Sequence, residues 1–352
     1  MCSCRIGTYR IGAQLAKGSF STIRYAINED PRDTSTLCVK IVNKSQFQTK
    51  KDLKLQMSEV EILSKVDHPN IVKLYDVIED EQNIYIFMEY CQGTSLLSFI
   101  NSRSSISERV CRIIFKQIII ALSFLHNKGI AHRDLKLENI IVSSSYEVKI
   151  IDFGFSSEHA NDCLLTTYCG SYYYSAPEVL NNQPYIGSSA DMWSSGVVLF
   201  ALVMGSLPFY DNCLPKLINK ITLGNYTISS SISKSCADLI SKLLCVDPKK
   251  RLTADQALRH DWFSDSYTAS WQSGSLPERF RCNLTKFNSC KNPRQSQNHN
   301  VTIVSRQHQN GTPVSNSKAI YCSKASFRAT KTASPMALTF PENDDLDISF
   351  VF

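Results

Sequence analysis

Five charged or amide side chains follow one another in an order that could move a phosphoryl group. Lys40 lies in an apolar run, and Glu59 comes nineteen residues later in a stretch of helical spacing. Asp134 and Asn139 stand five apart in His132-Arg133-Asp134-Leu135-Lys136-Leu137-Glu138-Asn139, and Asp152 directly follows the apolar run 148–151. Phosphoryl transfer needs cations on phosphate oxygens, oxygen ligands for divalent ions and a carboxylate beside the incoming hydroxyl. Positioning and electrostatics carry the rate, since little covalent chemistry is left for the protein to perform. The set supplies a lysine with a partner carboxylate, a base and two metal ligands.

Such side chains have to be carried by rigid elements. Apolar runs rich in β-branched and aromatic residues, at 37–42, 71–78 and 83–88, predict strands within residues 9–90. One helix interrupts them: Met57, Val60 and residues 63–66 have helical spacing, and the segment stops before His68-Pro69, where proline disfavours a continuing helix. After Gly93 the period changes. Ser107 and Glu108 open a segment in which Val110, Ile113, Ile114, Ile118, Ala121, Leu122 and Leu125 recur on one helical face, with Gly129 as the stop. Further helices are predicted over 191–204, 235–244 and 254–259, the last behind Thr253 as N-cap. The fold class is α+β: a small β-rich lobe at about 9–90 with one main helix, then a larger, mostly helical lobe at about 91–263. A short extension, 1–8, precedes them and a tail, 264–352, follows.

The eight-residue motif around Asp134, Asp152-Phe153-Gly154 and Ala176-Pro177-Glu178, in this order and with these gaps, form a highly specific set. They are joined by His68-Pro69-Asn70-Ile71-Val72, Asp191-Met192-Trp193, Asp247-Pro248 leading to Arg251, and His260-Asp261-Trp262-Phe263. Over residues 9–263 the chain resembles a eukaryotic protein kinase, and in these details the calcium/calmodulin-dependent and AMP-activated kinase group, testis-specific serine kinases included. The resemblance implies the bilobal protein kinase fold and transfer of the γ-phosphate of ATP, with Mg2+, to Ser or Thr hydroxyls of protein substrates. Lys136, two residues after Asp134, is similar to the serine/threonine form of that loop. By the same resemblance Lys40 pairs with the α/β-phosphates and Glu59, Asp134 orients and deprotonates the hydroxyl, Lys136 meets the γ-phosphate, and Asn139 and Asp152 hold magnesium. Glu178 and Arg251 are implied to be a buried ion pair of the helical lobe. Around the nucleotide it places the covering loop Ala16, Lys17, Gly18, Ser19, Phe20 and Ser21. Ile23, Cys38 and Ile141 sandwich the adenine, Met88 borders the back of the pocket, and Glu89, Cys91 and Glu138 complete the site.

The covering loop departs from the family pattern G-x-G-x-x-G-x-V, because Ala16-Lys17-Gly18-Ser19-Phe20-Ser21-Thr22-Ile23 keeps only the middle glycine. Glycine suits backbone that must reach positive φ or approach phosphates closely, so Ala16 and Ser21 are expected to stiffen the loop and weaken ATP binding. They alone favour the alternative of a pseudokinase acting as a nucleotide-binding scaffold, whose usual mark, loss of the lysine, base or metal ligands, is absent. A dinucleotide-binding oxidoreductase is excluded, since no complete GxGxxG follows the first strand. Substrate choice shows a second departure. Gly93-Thr94-Ser95-Leu96 stands where basophilic relatives carry G-G-E-L, so with Glu138 retained a preference for upstream arginine is expected to be present but relaxed.

Composition bounds the rest. Of 352 residues 43% are hydrophobic and 20% charged, which excludes a fibrous or wholly disordered chain. No run of 18 apolar residues predicts a membrane span, and the first ten residues, MCSCRIGTYR, lack the apolar stretch of a signal peptide. Thirteen scattered cysteines without a CxxC pair predict reduced thiols in an intracellular protein, expected to be cytoplasmic with nuclear access. Residues 264–352 hold 10 Lys+Arg and 6 Asp+Glu, so most of the net +6 is in the tail and no nucleic-acid partner is expected of residues 1–263. The Ser-, Asn- and Gln-rich tail is expected to be disordered. Within it Phe280, Leu284 and Phe287, among Arg279, Arg281, Lys286 and Lys291, have the spacing of a basic amphipathic helix that could bind calmodulin or make an autoinhibitory contact.

Thr167, two residues before Cys169, matches the phosphorylated threonine of AMP-activated kinase-like enzymes, and an upstream activating kinase is the implied partner. A phosphate there could pair with Arg133 beside Asp134 and order the segment. The expected outcome is a large loss of activity in Thr167→Ala and none in Thr166→Ala, with phosphate mapped to Thr167 by mass spectrometry of the active protein.

Overall fold

β-Branched and aromatic side chains pack well on a pleated surface, and the apolar runs of the first ninety residues pair accordingly. The computed structural model describes residues 4–264 except 19–20, 31, 33–34, 48–49, 159–163 and 167–169. Its first sheet is built from β1 (Cys4–Ile6), β2 (Tyr9–Lys17), β3 (Ser21–Asn28) and β4 (Thr36–Asn43); after helix α1 (Lys50–Ser64) come β5 (Leu74–Glu79) and β6 (Asn83–Glu89). All neighbours are antiparallel, in the order β1-β2-β3-β4-β6-β5. The sheet curls until its edges approach: the Tyr9 hydroxyl on β2 donates to Asp76 Oδ2 on β5 at 3.1 Å. Along β6 the period of two sorts the side chains. Ile84, Ile86 and Met88 join Val60, Ile62 and Leu63 of α1 in the main core, whereas Tyr85 and Phe87 face a second, smaller core with Tyr9, Leu37 and Val39.

The second lobe begins with β7 (Thr94–Ser95), α2 (Leu96–Asn101) and α3 (Glu108–Asn127). Short strands follow, β8 (Ile130–Ala131), β9 (Ile140–Val142), β10 (Val148–Ile150) and β11 (Ser157–Glu158), and then α4 (Pro177–Leu180), α5 (Gly187–Met204), α6 (Leu214–Leu223), α7 (Lys234–Leu243) and α8 (Ala254–Leu258). α3 starts where its cap lies: Ser107 Oγ accepts the Val110 amide, and Glu108 takes the Trp262 indole N–H at 2.6 Å. α5 is apolar nearly all round and is correspondingly buried. At Gly196 of α5 an added Cβ would stand 2.9 Å from Leu243 Cβ of α7, so glycine lets the two helices close up. α3 and α5 are the two helices, among the described residues, long and apolar enough to cross a bilayer; both lie largely in the core.

The structure differs from the sequence expectation at element edges. α1 begins at Lys50 rather than Met57. The run 71–78 becomes a strand only from Leu74, because Asn70 Nδ2 is pinned to Gln117 Oε1 at 3.0 Å and to the Val148 carbonyl at 2.9 Å, leaving Ile71 in one isolated parallel bridge to Ile150. α6, with only Leu217 and Ile221 buried, carries too thin an apolar stripe to be legible. Residues 4–6, counted in the extension, add an edge strand to the sheet. Beyond Ser264 the predicted tail lies outside the described residues.

The expected ion pair forms. Arg251 Nη1 and Nη2 meet Glu178 Oε1 and Oε2 at 2.7 and 3.0 Å, with both side chains at most 6% exposed, and Arg251 also donates to the carbonyls of Ser189 and Cys245. Removing one partner strands a buried charge, so Arg251→Met should cost about 3–5 kcal/mol in denaturant unfolding. Pairing it with Glu178→Leu should recover most of that loss.

Candidate active site

Lys40 lies at the centre of β4, opposite Ile23 on β3 and Ile86 on β6. Its ammonium meets Glu59 Oε2 of α1 at 2.8 Å, with the side chains 5% and 2% exposed. Burial works against the ammonium, but the charges of Glu59 and Asp152 outweigh it and raise the Lys40 pKa above its ordinary value. The lysine is therefore a fixed cation. Around it Cys38 stands opposite Met88, Ile23 and Ile141 are buried, and the Cys38 and Cys91 thiols converge on the Glu89 carbonyl at 3.5 and 3.8 Å. Burial pushes the two thiols up to about 11 and about 12, so both are neutral at physiological pH. Lys149 holds the Glu89 carboxylate at 2.6 Å.

The loop that carries Asp134 is shaped by Asp191, which comes from α5. Asp191 Oδ2 accepts the His132 amide at 2.8 Å, Oδ1 accepts the Arg133 amide at 2.8 Å, and Oδ2 lies 2.9 Å from His126 Nε2. Arg133 thereby keeps a φ of 68°, a region that L-residues occupy only under constraint. Burial alone would raise the Asp191 pKa, but the bonds and charge of His126, with those of the loop, hold it below the ordinary aspartate value. His132 ties the loop to the Asp152 segment, for its carbonyl accepts Ser156 Oγ at 3.2 Å and its ring packs on Phe153 with centroids 4.8 Å apart.

Asp134 then sits between Lys136, whose Nζ is 2.8 Å from its Oδ2, and Asn139, whose Nδ2 donates to Asp134 O at 2.9 Å and Oδ2 at 3.1 Å. Asp134 is 5% exposed, and burial raises its pKa above 3.8 in spite of Lys136. Glu138 is raised likewise, chiefly by burial, and accepts the Tyr174 hydroxyl at 3.5 Å. With its amide nitrogen committed to Asp134, Asn139 keeps a buried Oδ1 without a hydrogen-bond partner among the described residues. A buried acceptor in that state is costly unless something fills it. Asp152, at φ 62°, accepts the Gly154 amide at 3.2 Å through Oδ1. An unfilled amide oxygen together with an aspartate fits a hard divalent cation, which is commonly held by few protein ligands plus phosphate oxygens.

In the covering loop the Gly18 amide donates to the Ser21 carbonyl at 2.8 Å, while Ala16 pairs with Ile23 just past a register shift in the β2–β3 ladder and Ser21 pairs with Val42 in regular register. Neither Ala16 nor Ser21 has positive φ. The backbone at both positions is thus one that any L-residue adopts, and the missing glycines cost the loop no strain there. Lys17 is exposed; Ser19, Phe20 and Thr167 lie outside the described residues. Ser95 is not a cleft hydroxyl: it is 3% exposed and caps α2, accepting the Ser98 amide at 3.2 Å. Reading the sequence assigned no task to His126, and Asp191 entered only as part of a motif. A single acidic residue at the start of the long apolar segment was the available signal, since a carboxylate buried there needs donors.

The residues 9–263 match the model of the protein kinase domain family. The chain is 36% identical over 285 residues to the probable serine/threonine-protein kinase MARK-A of Dictyostelium discoideum, covering 81% of this chain and 26% of that protein. It is 39% identical over 255 residues to the serine/threonine protein kinase OSK3 of Oryza sativa subsp. indica, 72% of this chain and 50% of that one. With the serine/threonine-protein kinase kin-29 of Caenorhabditis elegans it shares 38% over 258 residues, 73% of this chain and 31% of the relative. The chain thus spans half or less of the length of these relatives, and with residues 9–263 matched over most of its length the chain belongs to the protein kinase domain family.

Proposed function

We propose that the chain is an ATP-dependent serine/threonine protein kinase, and the observation that carries this reading is the partnerless, buried Oδ1 of Asn139 beside an Asp134 whose carboxylate is already oriented. A bound Mg2+–ATP would supply the transferable phosphoryl group and the charge that shields its oxygens. Asn139 Oδ1 and the Asp152 carboxylate are the residues to hold the metal ion. Lys40, kept charged by Glu59, is the cation for the α/β-phosphates, while Ile23, Cys38, Met88 and Ile141 offer the apolar walls for adenine. Asp134 orients the incoming Ser or Thr hydroxyl and takes its proton at Oδ1 or Oδ2. Lys136, on the same carboxylate, is placed to neutralise charge moving toward it. Protein substrates with Ser or Thr targets follow from this reading, as does an upstream kinase acting at Thr167.

Lys40→Met should abolish most phosphotransfer to a generic peptide, because the change removes one cation from the phosphates; since it also leaves the buried Glu59 without its partner, a thermal melt that still shows a folded chain accompanies the assay, and normal turnover in that variant would refute the assignment. Asp134→Asn should lower kcat by about 10²- to 10⁴-fold. Its stability should move the other way. An aspartate with a raised folded pKa loses stability as pH climbs past its unfolded value, so the neutral amide should melt at the same or a higher temperature at pH 7. In the pH–rate profile of the wild type, activity should fall on acidification through a pKa above 3.8, as Asp134 takes up a proton, and this limb should vanish from the residual rate of Asp134→Asn.

A further inference from the structure

Three sulfurs meet at one corner of the first sheet. Cys38 on β4 stands directly opposite Met88 on β6, and residues so paired in an antiparallel ladder share a face, with Cβ atoms about 4.5–5.5 Å apart. Cys91 follows three residues after Met88, and its Sγ donates to the Glu89 carbonyl at 3.8 Å, the same oxygen that the Cys38 Sγ meets at 3.5 Å. The two thiols are thus no farther apart than these two distances together allow. A single torsion carries each sulfur between staggered positions, which is the adjustment that brings both onto one ion. All three side chains pack against the main core, and both cysteines are only half-buried, so neither thiol is sealed from solvent.

The ligand types select the guest. Thiolate and thioether sulfurs are soft and favour Cu(I), whereas Mg2+ and Ca2+ take oxygen. Among the described residues no three His, Cys, Asp or Glu side chains come together, so the corner lacks the nitrogen, sulfur and oxygen set that Zn2+ takes. Burial keeps both thiols neutral while no metal is bound. Uptake of Cu(I) forms two thiolate–metal bonds and one thioether bond and releases two protons to solvent, with no electron transferred. The product carries one net negative charge. Lys40 acts on Cys38, and Lys149 on Cys91, in the sense that favours thiolate, while the opposing Glu89 carboxylate is already paired with Lys149 at 2.6 Å.

We infer that Cys38, Met88 and Cys91 form a three-sulfur site for Cu(I), and that this ion and the adenine of ATP exclude one another. The exclusion rests on the kinase reading, in which Cys38 and Met88 are walls of the adenine pocket.

Anaerobic transfer of Cu(I) from its coloured bicinchoninate complex to the full chain tests both halves, with a thermal melt to show that every variant is folded. Wild type should take up one equivalent more than Cys38→Ala and one more than Cys91→Ala. Met88→Leu, which keeps the apolar wall, should release that equivalent at a lower bicinchoninate concentration. The remaining cysteines, exposed Cys4 and Cys213 among them, are common to all variants and cancel in the difference. Excess ATP should expel the same equivalent from wild type. Copper-loaded wild type should lose binding of a fluorescent ATP analogue, whereas copper should leave the Cys38→Ala, Cys91→Ala double variant at its own metal-free level. Equal uptake by wild type and both alanine variants overturns the site, and undiminished binding of the analogue to copper-loaded wild type overturns the exclusion. If metal-free wild type binds no analogue, the kinase reading falls and the exclusion with it, while the copper equivalents still decide the site.

Discussion

One buried carboxylate organises the active site. Asp191 is 1% exposed, and a carboxylate at that depth is tolerable only when several donors replace its water. Two of the donors are consecutive backbone amides, of His132 and Arg133, and the third is the ring of His126. Satisfying Asp191 therefore dictates the path of the chain next to Asp134, including the left-handed turn at Arg133, which would cost about 1–3 kcal/mol without such bonds. Helix α5, apolar nearly all round and packed through Gly196 against α7, gives Asp191 a rigid base. The direction of dependence runs from the helical core outward to Asp134.

A second chain of contacts carries the same order toward the sheet. His132 binds the Asp152 segment through Ser156 and Phe153, and the Ile151 amide donates to the Asn139 carbonyl at 2.9 Å. Asp152 in turn contributes to the charge that keeps Lys40 protonated. Lys40 depends on Glu59, and therefore on where α1 lies; Lys65, just past the end of α1, is paired with Glu158 on β11. A displacement of α1 would disturb both pairs. The exposed Lys65–Glu158 pair contributes little to stability, as solvent screens it, whereas the buried Lys40–Glu59 pair leaves two uncompensated charges if broken.

Charge placement also separates the groups by task. Asp191, rich in donors, has a pKa held below the ordinary aspartate value, while Asp134 and Glu138, with fewer donors for their burial, have raised pKa values. Three carboxylates within one loop and its support thus differ by surroundings alone. Asp134, the proposed proton acceptor, has the raised affinity for a proton, and Asp191, which holds the loop's geometry, has the lowered one.

Much of this was legible in the linear chain. Local chemistry and spacing determined the strand that bears Lys40, the helix that bears Glu59, the amphipathic α3 with Ser107 as its cap, and the Asp134-to-Asn139 loop, because each depends on residues within a few positions of one another. Short or thinly apolar elements escaped it: β1 exists only because β2 offers an edge, and α6 buries two residues. Only the tertiary structure decided that Ser95 caps a helix, that Ala16 and Ser21 need no glycine freedom, that the Asn139 oxygen is left unfilled, and that Asp191 reaches back 58 residues to the Arg133 amide. Those outcomes turn on which donors remain for a buried polar atom once every neighbour has been placed, and donors brought from distant positions leave no period or spacing in the sequence from which to count them.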